Sequence, residues 1–526
     1  MEFLIIGVLG LVVVASTAAL EPRMRLAAPL VLVLLGIVVS LIPAVPAIEI
    51  DPELIIAGIL PPLLYASAAS MPAMEFRRDF GAIGGLSVVL VVVTSLLLGV
   101  FFMLVLPDLG FWWGVALGAI VSPTDAVATS IARRAGLSGR TATVLEGEGL
   151  LNDATALVLL RTAVAGSAAT IGFGQIVGTF AYSVIVASVL GLIVGRVNVW
   201  VRSRIEDSTA NTVLSIAVPF LASIPAELLG ASGIVAAVVA GLITGQTSAR
   251  HLPPSHRLSD NQVWSAIALV FEGAVFLILG LELRSILDGA SDDGADLLLA
   301  VAAALGALLI VVVIRAGYVA PLLYLLHRRT QRGDRMRGHL EAFQGRLDDV
   351  QAPVGRIERM RTRTRRVLAD IDYLAGAPMG VREGIVLVWA GTRGAVTVAA
   401  AQTLPADAPH RELMILVAFI VALVSLLAQG GTIGLVVRRA APAQPDPEAV
   451  EAERAQLLDI MREAAAGAEG DADTIEGRIT VLNAQRRALL AVRDDGTISS
   501  EELSHALAGL DAAQITVEMR RRAPEK

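Results

Sequence analysis

The sequence predicts an all-α polytopic membrane protein with about thirteen transmembrane helices, and three observations carry that expectation. Of its 526 residues, 55% are hydrophobic and 17% charged, against about 45–50% and about 25% in an average soluble chain. The apolar residues fall in long unbroken runs, and about 18 in a row is enough to span a bilayer as a helix. The runs lack the polar–apolar alternation over about ten residues that a transmembrane barrel strand needs. A soluble enzyme, a disordered chain and a nucleic-acid binder are thereby excluded as the main reading.

Thirteen segments follow in order, at about 3–20, 26–44, 52–70, 80–106, 111–132, 141–166, 173–198, 209–229, 231–248, 261–283, 296–326, 382–404 and 412–437. The first, MEFLIIGVLGLVVVAS, lacks a basic leader region and a clear cleavage site, so it reads as a retained helix. Loops after odd-numbered segments carry Arg23 and Arg25, Arg77 and Arg78, Arg133, Arg134 and Arg140, Arg202 and Arg204, Arg250 and Arg257, and the arginine-rich stretch 328–366. Loops after even-numbered segments hold mainly Arg284 and Arg411, beside acids such as Glu49, Asp51, Asp292 and Asp293. Positive charge stays on the cytoplasmic side, so the N-terminus is expected outside and the C-terminus in the cytoplasm.

Two parts lie outside the bilayer. Residues 327–381 form a long basic loop with helical spacing, expected as a solvated hairpin near anionic lipid. Residues 438–526 form a cytoplasmic helical tail, opened by the Pro-rich linker APAQPDPEAV. Its RDDGTISSEEL resembles half a calcium loop. With Gly496 at the sixth position, the first and third fall on Ala491 and Arg493, which supply no carboxylate. Self-association or a regulatory role is the expectation for the tail. The chain has no cysteine, which excludes disulfides and thiolate metal sites. His251, His256, His327, His339, His410 and His505 fall in loops or the tail, so no histidine cluster reaches membrane depth.

Ionisable residues inside a bilayer are costly and are functional candidates by default. Asp125 lies within GAIVSPTDAVATS of the fifth segment, where Pro123 removes a backbone donor and interrupts the helix. The twelfth segment has a matching interruption at Gly391-Thr392-Arg393-Gly394. The two breaks lie an odd number of segments apart, so they cross in opposite directions. Paired discontinuous helices of this kind mark the inverted repeats of a secondary transporter with its site at the midplane, here segments 4–6 and 11–13. Glu146, Glu148, Asn152, Asp153 and Arg161 lie on the sixth segment. Asp153 can hold a proton or a cation through the same oxygens, so the two compete. Hard cations favour oxygen ligands, and a Na+ site of Asp153, Asp125 and Thr124 offers them. Glu148 needs a fixed counter-charge, and Arg315 is the best candidate for a structural ion pair. Arg393 is expected to offset half-helix ends at the second break. Glu227 and Glu282 are read as rim charges, Arg161 as snorkelling, and Glu272 is left unassigned.

GAIVSPTDAVA, EGEGLLNDATALVL, WAGTRGAVTVA and PPLLYASAAS resemble the signature stretches of the monovalent cation:proton antiporter family, in its NhaP-type Na+/H+ exchanger branch. The resemblance covers about residues 1–437. It implies the Na+/H+ antiporter fold and a homodimer. Dimerisation helices would lie at about 1–70 and 209–283, and a moving core at about 80–166 and 296–437, working as an elevator. It implies that Asp153 exchanges cation for proton, that Asn152 is its family neighbour, that Asp125 and Thr124 stand around the ion, and that Glu148 and Arg315 form the family's buried pair. Asparagine at 152, where an electrogenic branch has a second aspartate, implies one proton per cation. Gly149 stands where the family often has serine, and Ala66 where it often has an acid, and both remove oxygen ligands.

The resulting expectation is a plasma-membrane antiporter of Na+, Li+ or K+ against H+, involved in pH homeostasis, with no cofactor and no enzymatic activity. Its partners are lipid, a second copy and its ions, without nucleic acid. The alternatives are a K+/H+ exchanger or a cation channel, but no filter-like repeat is present. An intramembrane protease would rest on Asp125 and Asp153 alone. Anion transport fails on the carboxylate-rich site.

Overall fold

The computed structural model describes all residues except 1, 25, 44, 46–49, 107, 126, 138, 169–172, 290–293, 347–353, 441–446, 469–473, 497 and 523–526. Arg25, Glu49, Asp292 and Asp293 of the orientation argument, most of the Pro-rich linker and Thr497 lie outside the described residues. Among those residues there is helix and no strand. Inside a bilayer each backbone donor and acceptor must be satisfied within its own segment, and an apolar run can do that as a helix.

Each expected segment is helical. The first two are α1 (Glu2–Leu20) and α2 (Ala28–Ser40). The third is α3 (Leu60–Ser70), entered through a wide π-turn at Leu54–Ile59. The fourth is α4 (Ala73–Gly84) and α5 (Val91–Val105), joined by another at Gly85–Leu90. The fifth is split into α6 (Phe111–Val121) and α7 (Val127–Arg134). Then come α8 (Gly139–Ala168), α9 (Phe173–Arg202), α10 (Ser208–Leu228), α11 (Gly233–His251) and α12 (Pro254–Leu281), extended by the short α13 (Leu283–Gly289). α14 (Gly294–Arg346) carries the eleventh crossing straight on into the basic loop, and α15 (Val354–Gly376) returns to make the hairpin. The twelfth segment is split into α16 (Val381–Trp389) and α17 (Ala395–Gln402). The thirteenth is α18 (Arg411–Ser425) and α19 (Gly431–Ala440), with a π-turn between them.

Among the described residues, seven helices are long and apolar enough to cross a membrane unaided, and three shorter apolar helices add to them. The segments that fall short are α11, the charged α8, and α16 with α17, so two of the three carry the polar groups. Leu104 is 76% and Leu228 81% exposed, among many large apolar side chains on the outer faces of the crossings, an apolar exterior that suits contact with lipid.

Close packing between helices depends on glycine. At Gly280 of α12 an added Cβ would run into the backbone of Val33 on α2, and at Gly36 of α2 it would run into Leu277 O on α12. Gly241 and Gly245 of α11 lie equally close to Tyr65 and Ala69 of α3, and Gly114 and Gly118 of α6 to Gly99 and Ser95 of α5. Small residues that let backbones touch are the usual means of helix association where lipid removes the hydrophobic drive.

The tail is α20 (Pro447–Ala466), α21 (Ile475–Asp495) and α22 (Ser500–Arg522), closed around Leu457, Leu489, Ile498, Leu503 and Leu510. The calcium-like turn is a docking point. Arg78 Nη2 donates to Gly496 O at 2.7 Å, and Ser500 N to Glu75 Oε1 at 2.9 Å, both on α4. The tail also reaches α11 and α12: Arg250 pairs with Asp494, and Arg257 Nε donates to Asp511 Oδ2 at 3.0 Å.

Candidate functional site

The site is built where the two interrupted helices meet. The breaks are joined directly, Asp125 N donating to Thr392 O at 2.7 Å. Four half-helix ends converge there. Free carbonyls at a C-terminus carry partial negative charge and free N–H groups at an N-terminus partial positive charge, so each pair of ends calls for an opposite charge.

Arg393 serves the carbonyl ends. Its Nε donates to Val121 O at 3.0 Å and its Nη2 to Ser122 O at 3.5 Å, both at the end of α6, while Nη1 bonds Gly391 O past the end of α16. Its backbone is pinned by Ser425, whose Oγ accepts from Arg393 N at 2.9 Å. Asp125 serves the N–H ends. Its Oδ1 accepts from Val127 N of α7 at 3.0 Å, and its carboxylate fills the space above Gly394, which opens α17. A Cβ at Gly394 would overlap that carboxylate.

On α8, Glu148 and Asn152 stand one turn apart on one face. Arg315 of α14 grips Glu148 with two prongs: Nη2 donates to Oε2 at 2.7 Å and Nη1 bonds Oε1. Arg315 Nε also donates to Leu387 O on α16 at 2.7 Å. Thr124 Oγ1 donates to Glu148 Oε1 at 3.1 Å. Asn152 Nδ2 in turn donates to Thr124 O at 2.9 Å and lies 2.7 Å from Thr124 Oγ1. This polar chain ties α8 to both breaks, and Glu148 and Asn152 are each 1% exposed within it.

Asp153 stands apart from that chain. It is 9% exposed, and among the described residues no donor reaches its carboxylate. It faces a cavity of about 100 Å³ whose polar wall includes Asp125, Thr124, Glu272 and Ser67. Asp153 also borders a second recess, of about 10 Å³, among Ala156, Leu157 and Leu160. A recess that small and apolar is at the lower limit for one water.

The structure thus brings Asp153, Asp125, Thr124, Asn152, Glu148, Arg315 and Arg393 into one region. Gly149 lines the same cavity. Three readings of charges outside it are corrected. Arg161 does not merely snorkel: its Nη1 donates to Glu227 Oε2 at 2.7 Å. Glu282 is no rim charge but is 2% exposed. His256 lies inside α12 at 1% exposure, not in a loop.

Buried clusters invisible in the sequence reading brace the arginine-bearing end. Arg140 is locked to Asp79, Nη2 to Oδ1 at 2.6 Å, with Tyr373 OH donating to Asp79 Oδ2 at 3.2 Å. Burial, then the Asp79 charge, pushes the Tyr373 phenol well above its ordinary pKa, so it stays a donor. Arg202 pairs with Asp260, and its Nε donates to Asn211 Oδ1 at 2.7 Å. Both arginines had counted only towards orientation.

Comparison with known proteins agrees with this architecture. Residues 10–439 match the family model described as sodium/hydrogen exchanger, transmembrane. An uncharacterized Na(+)/H(+) exchanger of Mycobacterium tuberculosis is 31% identical over 449 residues, covering 82% of this chain and 74% of that protein. The Na(+)/H(+) antiporter NhaP of Pseudomonas aeruginosa is 30% identical over 405 residues, 75% of this chain and 82% of its own. The solved sodium proton antiporter MjNhaP1 of Methanocaldococcus jannaschii at pH 8 superposes with a TM-score of 0.60 at 18% identity, over 84% of this chain and 99% of that one. A match running from the first helix to the last crossing, on a fold shared with a solved antiporter, supports one conclusion: the chain belongs to the sodium/hydrogen exchanger family and is a multi-pass cation/proton antiporter.

Proposed function

We propose that the protein exchanges Na+, or Li+ or K+, for H+ across the plasma membrane, one for one and without net charge movement, with both ions competing for Asp153. The observation that carries this reading is the contrast between two acids on α8. Glu148 has its charge matched by Arg315, whereas Asp153 faces the cavity with no donor among the described residues. A carboxylate kept unmatched at membrane depth is suited to a mobile counter-ion. Asn152 favours a single exchanging carboxylate, because its nitrogen donates to Thr124, which an ionised aspartate there cannot do. Asp125 and Thr124 stand around the ion, and Arg393 holds the second break.

Loops rich in arginine mark the cytoplasmic side, with the N-terminus outside and the C-terminus inside. The cavity wall runs to Ser67, near the arginine-bearing end of α3. Alternation proceeds by an elevator movement of helices at about 80–166 and 296–437 against those at about 1–70 and 209–283, the latter pairing two copies as a homodimer. Potassium is the second choice of cation, favoured by Gly149, which lines the cavity without a side-chain oxygen, and by Ala66.

The test is dequenching of a pH dye in proteoliposomes on addition of Na+, Li+ or K+, for wild type beside Asp153→Asn. For Na+ or Li+ it is repeated with the potential clamped by valinomycin and K+. A response lost in the mutant and indifferent to potential supports the proposal. A potential-sensitive response rejects the stoichiometry, a response to K+ alone selects the second cation, and retained exchange in the mutant removes Asp153 as carrier.

A further inference from the structure

Glu272 is the one acid facing the site that neither the sequence nor the mechanism above employs. It interrupts the apolar run AIALVFEGAVFLILG in the middle of α12. A carboxylate there is expensive unless something holds it. Every other acid on α8 and α12 discussed above, apart from Asp153 and Glu282, has a cationic partner: Glu146 has Arg133, Glu148 has Arg315, and Asp260 has Arg202. Glu227, at the end of α10, has Arg161. Glu272 is half-buried and, among the described residues, makes no hydrogen bond or ion pair. It lines the same cavity as Asp153 and Asp125.

The composition of that cavity says what would settle there. Its wall carries three carboxylates, two threonine hydroxyls and one serine hydroxyl, with no cationic side chain among the described lining residues. Hard cations take oxygen ligands of this kind. The wall also has a gap on the Asp153 side: Gly149 adds no side chain next to the acid. Glu272 offers carboxylate oxygens from the wall on α12. Its field, focused in a small cavity with low-dielectric walls, concentrates cations at the entrance to Asp153.

We propose that Glu272 is a third carboxylate of the cation site, acting from α12 and setting cation affinity, while Asp153 remains the exchanging group. This rests on the cation/proton exchange reading above. Glu272 changes how tightly the cation is held and not whether exchange occurs.

The full-length protein in proteoliposomes tests it, with Glu272→Gln and Glu272→Asp beside wild type, Asp153→Asn and Glu227→Gln. Glu227→Gln removes one negative charge outside the cavity. The apparent KM for Na+ or Li+ should rise roughly tenfold in Glu272→Gln, as loss of a nearby unit charge at intermediate dielectric predicts. The maximal rate should stay within about a factor of two of wild type, since uniform binding is what is lost. Glu272→Asp should fall between, and Glu227→Gln should leave KM unchanged.

If Glu272→Gln does not turn over, the cation concentration that half-stabilises the purified protein against heat replaces KM. A shift of that midpoint supports the proposal, and an unshifted midpoint overturns it. Wild-type KM in Glu272→Gln, or an equal rise in Glu227→Gln, also overturns it. Exchange that survives in Asp153→Asn instead brings down the underlying reading and is distinguishable from either.

Discussion

Replacing Arg315 with alanine should cost protein before it costs turnover. Arg315 is 2% exposed and makes three bonds, two to Glu148 and one to Leu387 O. Removing one partner of a buried pair costs about 3–5 kcal/mol, because the remaining charge is left uncompensated. After the change the Thr124 hydroxyl is the one hydrogen-bond donor left to the Glu148 carboxylate among the described residues. The Leu387 carbonyl belongs to the last turn of α16, where no intrahelical donor replaces the guanidinium. Leaving it unpaired costs about 1–3 kcal/mol, a contribution that overlaps the first, since both come from the same side chain.

The assay is the yield and monodispersity of purified protein, with its melting temperature in detergent, for Arg315→Ala, Glu148→Gln and the double variant Arg315→Leu/Glu148→Leu. Both single variants should lose yield and melt early. The double variant should recover roughly half or more of the loss, since removing both charges together leaves neither one orphaned. Wild-type yield and melting in Arg315→Ala, with a shifted cation affinity, would refute the reasoning and place the pair inside the transport site. Strictly additive losses would refute the coupling.

Gly394→Ala should abolish exchange, because the new Cβ and the Asp125 carboxylate claim one space, and overpacking costs about 1–3 kcal/mol. Normal dye dequenching in that variant would sink this expectation. Arg78→Ala should release the tail several-fold faster to limited proteolysis, since it removes the 2.7 Å bond to Gly496 O and the 2.6 Å contact with Asp370. An unchanged cleavage rate would show that other contacts carry the docking.

The crossings were legible because composition alone decides them: a long apolar run in lipid can only be a helix. The breaks were legible because Pro123 and the glycines at 391 and 394 are local signals. What faces what was harder. Glu146 and Glu148 are two residues apart and so point to different sides of α8. The sequence does not say which turns inward, and in the fold Glu146 pairs with half-exposed Arg133 while Glu148 is buried. Arg161 and Glu227 are 66 positions apart, a distance over which no periodicity speaks. Arg140 and Arg202 looked like loop charges because each ends or begins a helix, and only the fold supplies Asp79 and Asp260 to bury them. Glu272 was visible as an anomaly, but nothing along the chain says that α12 turns it towards Asp153's cavity.

The glycine contacts have a mechanical consequence. Within the membrane part, every approach at which a Cβ would come closer than 3.0 Å to its neighbour joins crossings of the set 1–3 and 7–10, or of the set 4–6 and 11–13. Backbone meets backbone at Gly36 with Gly280, Gly241 with Tyr65 and Gly245 with Ala69 in the first, and at Gly114 with Gly99 and Gly118 with Ser95 in the second. Backbone held against backbone has one seating and resists sliding. Side chain against side chain has several seatings of similar depth, separated by rotamer changes. If the two sets move as the elevator proposed above, the seam between them, which has no such glycine approach among the described residues, is where they slide. The cavity containing Asp153 is walled by both sets, so any such sliding would reshape the ion's surroundings.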